Sequence, residues 1–145
     1  VRCAAALAEA EGAALVEVEH LLRALVDPPV EPVGRALVDA GITSVALRDA
    51  LDREFRSALA LVGVTTSRPS PASAPRLRRG RATPFAPSAT LALQRTLEVA
   101  LASGERRITN RHLVVAMTGT TVGVMPRLLR ELGTTAEAIQ TAIGR

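Results

Sequence analysis

Residues 7–51 read LAEAEGAALVEVEHLLRALVDPPVEPVGRALVDAGITSVALRDAL, and residues 99–143 read VALASGERRITNRHLVVAMTGTTVGVMPRLLRELGTTAEAIQTAI. The second stretch repeats the first without a gap, at an offset of 92 positions. The identities include Ala8/Ala100, Ala10/Ala102, Gly12/Gly104, His20/His112, Leu21/Leu113, Ala24/Ala116, Val30/Val122, Arg35/Arg127, Leu37/Leu129, Gly41/Gly133 and Ala50/Ala142. Two glycines, a histidine and an arginine in one register are hard to match by chance. An internal repeat decides the architecture before any other argument does. It also frames the functional question, because each place where the copies differ is a place where two faces should behave differently.

Each copy reads as four helices. The first helix of copy two starts near Pro87 and Ser88, with Ser88 able to cap free amides, and places Leu93, Leu97, Ala100 and Leu101 on one face. Gly104 ends it. In copy one the same helix is under way at Val1 and ends near Gly12, so the counterparts of Phe85 through Ala92 are absent. The second helix starts near Val18 and near Asn110, with Val18, Leu21, Leu22 and Leu25 as its apolar stripe and Asn110 as a favourable cap. The third ends at Gly41 and Gly133, each suited to the left-handed residue that closes a helix. The fourth starts at Thr43 or Ser44, and at Thr134 or Thr135, where Thr134 and Glu137 form a capping-box pattern. Helices of about ten residues do not stand alone in water, so they must pack together. The expected fold is all-α: two four-helix units in tandem, related by a pseudo-twofold axis.

Composition agrees. Nearly half of the 145 residues are hydrophobic, yet only Phe55 and Phe85 are aromatic, so Leu, Ala, Val and Ile must build the core. The cationic charge comes from arginine, with no lysine. Arg68, Arg76, Arg78, Arg79 and Arg81 lie in an acid-free stretch between Glu54 and Glu98; the other 13 arginines face 14 acids. The basicity therefore belongs to one segment. That segment, residues 65–84, also carries Pro69, Pro71, Pro75 and Pro84 and reads as a linker. The organisation expected is a first repeat over 1–64, the linker, and a second repeat over 85–145. Cys3 rules out an intrachain disulfide and reads as a small buried apolar residue. No apolar run approaches the roughly 20 residues that span a bilayer, and no signal peptide is visible, so a cytoplasmic location is expected. The chain begins with Val, as a piece of a longer polypeptide would, leaving open what precedes it.

Several segments together carry a family resemblance. They are Glu19-His20-Leu21-Leu22, Arg35-Ala36-Leu37, Ala40-Gly41, Pro84-Phe85-Ala86-Pro87-Ser88-Ala89 leading into a helix, Ile108 before Arg111-His112-Leu113, and Leu129-Arg130-Glu131-Leu132-Gly133. In this register they resemble the Clp N-terminal domain family, the double Clp-N repeat at the front of Hsp100 unfoldases of the ClpC/ClpA type. The resemblance implies a non-catalytic docking module that receives protein clients or adaptors for an ATPase ring. The chain itself has no G-x-x-x-x-G-K-[ST] loop, so ATP does not bind here by that route. In related Gram-positive domains an acid precedes the motif histidine in both repeats and helps to hold phosphorylated arginine. Copy one keeps Glu19; copy two has Arg111, which would repel a guanidinium. The helix-start Thr of the family is Ala86. Phosphoarginine recognition is therefore expected to be lost in copy two and is open in copy one.

The candidate site residues follow. Phe85 reads either as a binding anchor or as a staple on its own helix. In actinobacterial relatives this position lies on a surface that accepts cyclic peptides, which sets the anchor level with the staple. Thr90 and Gln94, one and two turns further on, border the same surface, and Glu19 and Arg111 mark the unequal copies. His20 and His112 read as internal stitches, since neither has a second ligand at metal spacing. No nucleophile-base set is visible, so no catalytic residue, metal or cofactor is expected. The partners expected are a Clp/Hsp100 ATPase or its adaptors and protein clients. Two alternatives are a free-standing decoy for cyclic-peptide antibiotics and a DNA-associated regulator using the arginine linker. The linker has no interleaved aromatics for base stacking, which favours a solvated tether.

Overall fold

A computed structural model describes residues 1–30, 32–65 and 83–144. The described residues form eight α-helices: α1 (Arg2–Ala10), α2 (Val18–Val26), α3 (Val33–Asp39), α4 (Ser44–Ala60), α5 (Pro87–Ala102), α6 (Asn110–Thr118), α7 (Val124–Glu131) and α8 (Ala136–Ile143). The arginines assigned to the linker, Arg68 to Arg81, lie outside the described residues.

The packing obeys the repeat. Helix α1 lies on α2 as α5 lies on α6, and α2 touches α3 and α4 as α6 touches α7 and α8. The copies also interlock: α4 packs on α7 and α3 on α8, with α2 meeting α6 between them. Exchanging α1–α4 with α5–α8 maps this set of contacts onto itself, so a pseudo-twofold axis runs beside α2 and α6. One continuous core results. It contains Leu21, Leu22, Leu37 and Leu47 from copy one and Val114, Met117, Leu128 and Ile139 from copy two. Burying side chains of this kind is worth roughly 1.5–3 kcal/mol each, and neither half buries its share without the other. Two crossed ion pairs rim the α4–α7 contact, Arg53 Nε to Glu131 Oε2 at 3.1 Å and Arg127 Nε to Glu54 Oε1 at 2.6 Å.

The matched glycines stop matched helices. Gly41 and Gly133 follow α3 and α7 with φ of +85° and +68°, a region that L side chains rarely enter. Gly34 serves a different purpose. It is buried in α3, and a Cβ there would lie 2.0 Å from the Leu25 carbonyl oxygen and 2.9 Å from the Pro29 carbonyl carbon. Only a glycine lets α3 approach the end of α2 this closely.

Several local expectations need correction. The caps of α2 and α6 are Glu17 and Thr109, one residue before Val18 and Asn110. Thr135 rather than Thr134 caps α8, accepting from the Ala138 amide at 3.2 Å, so Glu137 falls outside a capping box. Ala86 precedes α5 with Pro87 at the first helical position, and Ser88 is used elsewhere. Cys3 is exposed, because the face of α1 turned inward is Ala4 and Ala8. Helix α2 has no solvent face: all nine of its residues are buried. The largest correction concerns α5. Its buried face is Ala89, Ala92, Thr96 and Ala100, with Leu93 half-buried, while Leu97 and Leu101 point into solvent.

Candidate functional site

The site begins where copy one receives the start of α5. Val16 and Phe85 form a short parallel bridge: the Val16 amide donates to the Pro84 carbonyl at 2.8 Å, and the Ala86 amide donates to the Val16 carbonyl at 3.0 Å. These bonds hold Phe85, half-buried, against the core. The Ser88 hydroxyl donates to Glu17 Oε2 at 2.7 Å, tying the first turn of α5 to the cap of α2. Phe85 is thus fixed by backbone on one side and rooted in its own helix on the other.

Beyond that root the free face of α5 opens. Thr90, Gln94, Leu97 and Leu101 recur at intervals of three and four residues, and all four are exposed. Leu91 stands exposed on the same helix. Leu97 is 49% and Leu101 69% exposed. An isolated exposed leucine needs no explanation, but neighbouring ones on a helix face suit a docking surface. Thr90 and Gln94 add donors and acceptors within the stripe. The structure therefore brings Thr90 and Gln94 together and roots their helix at Phe85. The apolar half of the stripe was missed in the sequence because period alone cannot say which of two leucine faces turns inward. Small residues decide it: α5 packs on α6 and α2 with Ala89, Ala92, Thr96 and Ala100 as its buried face.

Glu19 and Arg111 are equivalent by repeat but differ in setting. Glu19 is buried in the first turn of α2, whereas Arg111 is exposed at the same place on α6. The Pro84–Ala86 segment lies against Val16, and α5 packs on α2 as well as on α6. Glu19 lies on α2 and Arg111 on α6, whereas Phe85, Thr90 and Gln94 lie just before or on α5.

The two histidines tie their helix starts together. His20 Nδ1 accepts the Glu17 amide at 3.0 Å, and His112 Nδ1 accepts the Thr109 amide at 3.1 Å. Each occupies the third helical position of a capping box, the place usually held by Glu or Gln. With Nδ1 accepting, the ring proton sits on Nε2. There it faces a carboxylate, Glu11 Oε2 at 3.3 Å for His20 and Glu105 Oε2 at 3.4 Å for His112. Both ring nitrogens are thus engaged within the repeat. In copy one the buried Arg23 adds a 2.5 Å pair to Glu11 Oε1. The His20 hydrogen bond, with Arg23, lowers the Glu11 carboxyl to about 2 despite partial burial. Glu11 and Glu105 are not register mates. One precedes its repeat glycine and the other follows it, so two different positions supply the same carboxylate. Matching by register passes over such a pair.

These features define a double four-helix repeat whose buried polar groups hold helices in place and whose open surface is an apolar helix face. A solved structure shares the architecture: the N-terminal domain of the caseinolytic protease associated chaperone ClpD from Arabidopsis thaliana. The two superpose with a TM-score of 0.65 at 19% identity, over 97% of this chain and 84% of that one. The fold is that of a Clp N-terminal domain. No family model matches the sequence, and no curated protein matches it. No helix among the described residues is long and apolar enough to cross a membrane.

Proposed function

We propose that this chain is a non-catalytic docking module of the Clp unfoldase–protease system. It takes peptide segments or adaptor proteins on the open face of α5 and presents them to a Clp/Hsp100 ATPase. The observation that carries the reading is the stripe of Thr90, Gln94, Leu97 and Leu101 on a helix fixed at its root by Phe85. The fold supports it, since the similar ClpD domain belongs to a protease-associated chaperone. Leucines supply sequence-tolerant apolar area, and the polar pair orients a bound backbone. A rigid helix adds little ordering cost on binding.

Fluorescently labelled β-casein, which lacks a stable fold, is a suitable client. The chain should bind it, and the double variant Leu97→Asp, Leu101→Asp should weaken binding by about tenfold or more. Both side chains are already exposed, so the variant's helical circular dichroism should match the parent. No binding by the parent chain, or equal binding by the folded variant, would overturn this reading.

A further inference from the structure

Among the exposed residues of α5 only Glu98 is charged. Gln94 lies four residues before it and Leu101 three after it, the separations at which helical side chains are neighbours. Leu97 borders Leu101 in the same way. The cationic residues nearest in sequence are Arg95, Arg106 and Arg107, and Glu98 forms an ion pair with none of them among the described residues. A carboxylate thus stands beside two exposed leucines with its charge uncompensated.

This placement does nothing for α5 itself. The C-terminal end of a helix is the negative end of its dipole, where a cation is stabilising and an anion is not. Helix α5 has no basic residue in its last turn and no acid in its first, and its one carboxylate lies in the C-terminal half. A side chain set against its own helix is a place to look for a ligand. The repeat shows that the scaffold does not require it. The register mates of Leu97, Glu98 and Leu101 are Ala5, Ala6 and Glu9 on α1. Two leucines flanking a free carboxylate therefore occur on α5 and not on α1.

We propose that Glu98 makes the α5 face selective for cationic apolar segments, in which an arginine or lysine sits between leucine-like residues. The apolar side chains of the segment cover Leu97 and Leu101. The aliphatic stem of the cationic residue runs along the same leucines and carries its head group to the Glu98 carboxylate, at the negative end of the helix. Gln94, one turn back, supplies a donor and an acceptor to the bound backbone. Acidic segments meet the same carboxylate as a repulsion, so the charge discriminates as well as attracts. This selectivity rests on the open face of α5 being the docking surface.

The probe is the end-capped peptide Ser-Leu-Leu-Arg-Leu-Ser. It is also made with citrulline, which keeps the shape of arginine without its charge, and with glutamate at the same place. Each is titrated to about 1 mM into the 15N-labelled full chain, a range in which a weak peptide contact is detectable. The arginine peptide should move the amide signals of Gln94, Leu97, Glu98 and Leu101. It should bind about threefold or more tightly than the citrulline peptide, the scale of an exposed ion pair, and the glutamate peptide should bind weakest. The preference should fade as salt rises from about 50 to about 300 mM. Glu98→Gln should bring the arginine and citrulline peptides level, and Glu98→Arg should reverse the order of the arginine and glutamate peptides. Both variants should melt no lower than the parent chain, because Glu98 is exposed and unpaired. Equal binding of the arginine and citrulline peptides by the parent, shifts centred away from α5, or a preference that survives Glu98→Gln would overturn the proposal. Casein binding that depends on Leu97 and Leu101, with no preference among the peptides, overturns the charge selection alone. Casein binding that ignores those leucines overturns the docking face and the selection together.

Discussion

At Glu11 a single carboxylate joins two helices of copy one, receiving the His20 ring and the Arg23 guanidinium at once. Its carboxyl titrates at about 2 in the folded chain, against 4.5 for an ordinary glutamate. A group that titrates lower when folded contributes its full stability above the unfolded value. That contribution then drains as pH falls from about 4.5 towards 2. With the side chain 26% exposed, solvent screening brings it to about 1–2 kcal/mol. Urea denaturation between pH 6 and 3 should show this loss in the parent chain, and Glu11→Gln should flatten it. The histidines act through their tautomer. His112→Ala removes the acceptor for the Thr109 amide and the donor to Glu105, and should cost about 1–3 kcal/mol in a thermal or chemical melt. Reading the histidines as internal stitches is consistent with this geometry, and the repeat made them legible. Their carboxylates were not legible, because the two acids come from different register positions.

Among the elements, α3 and α5 show where sequence reasoning succeeds and where it stops. Gly41 and Gly133 announced their helix ends through the known preference of the left-handed region. Gly34 gave no comparable signal, because its role is set by backbone brought from α2. Gly34→Ala should therefore be costly: a methyl group 2.0 Å from a carbonyl oxygen forces α3 off α2, and about 2–4 kcal/mol of destabilisation is expected by denaturant titration. Gly133→Ala meets no neighbour and should cost only the left-handed strain, about 1–2 kcal/mol. On α5 the leucine period was visible, but its inward direction was not. Alanine permits close helix contact, and the leucines displaced from that contact became the open face. Beside its apolar stripe, helix α2 buries Glu19, His20 and Arg23 as well.

For the whole molecule, the repeat gives a symmetric set of helix contacts and an asymmetric surface. The scaffold was readable from the identities in register, since pairs such as His20/His112, Leu21/Leu113 and Leu37/Leu129 are buried in both copies. The asymmetry was readable only in part. Glu19 and Arg111 showed that the copies differ in charge, but not that one is buried and the other exposed. Burial of that kind is set by tertiary packing, such as the bonds of Val16 to Pro84 and Ala86, between residues about 70 positions apart. Amide hydrogen exchange at Val16 tests this account most directly. Its amide, held by the Pro84 carbonyl, should be protected at least about a hundredfold over an open chain. Exchange at Val16 near the rate of an open chain would contradict a first repeat covered by the Pro84–Ala86 segment.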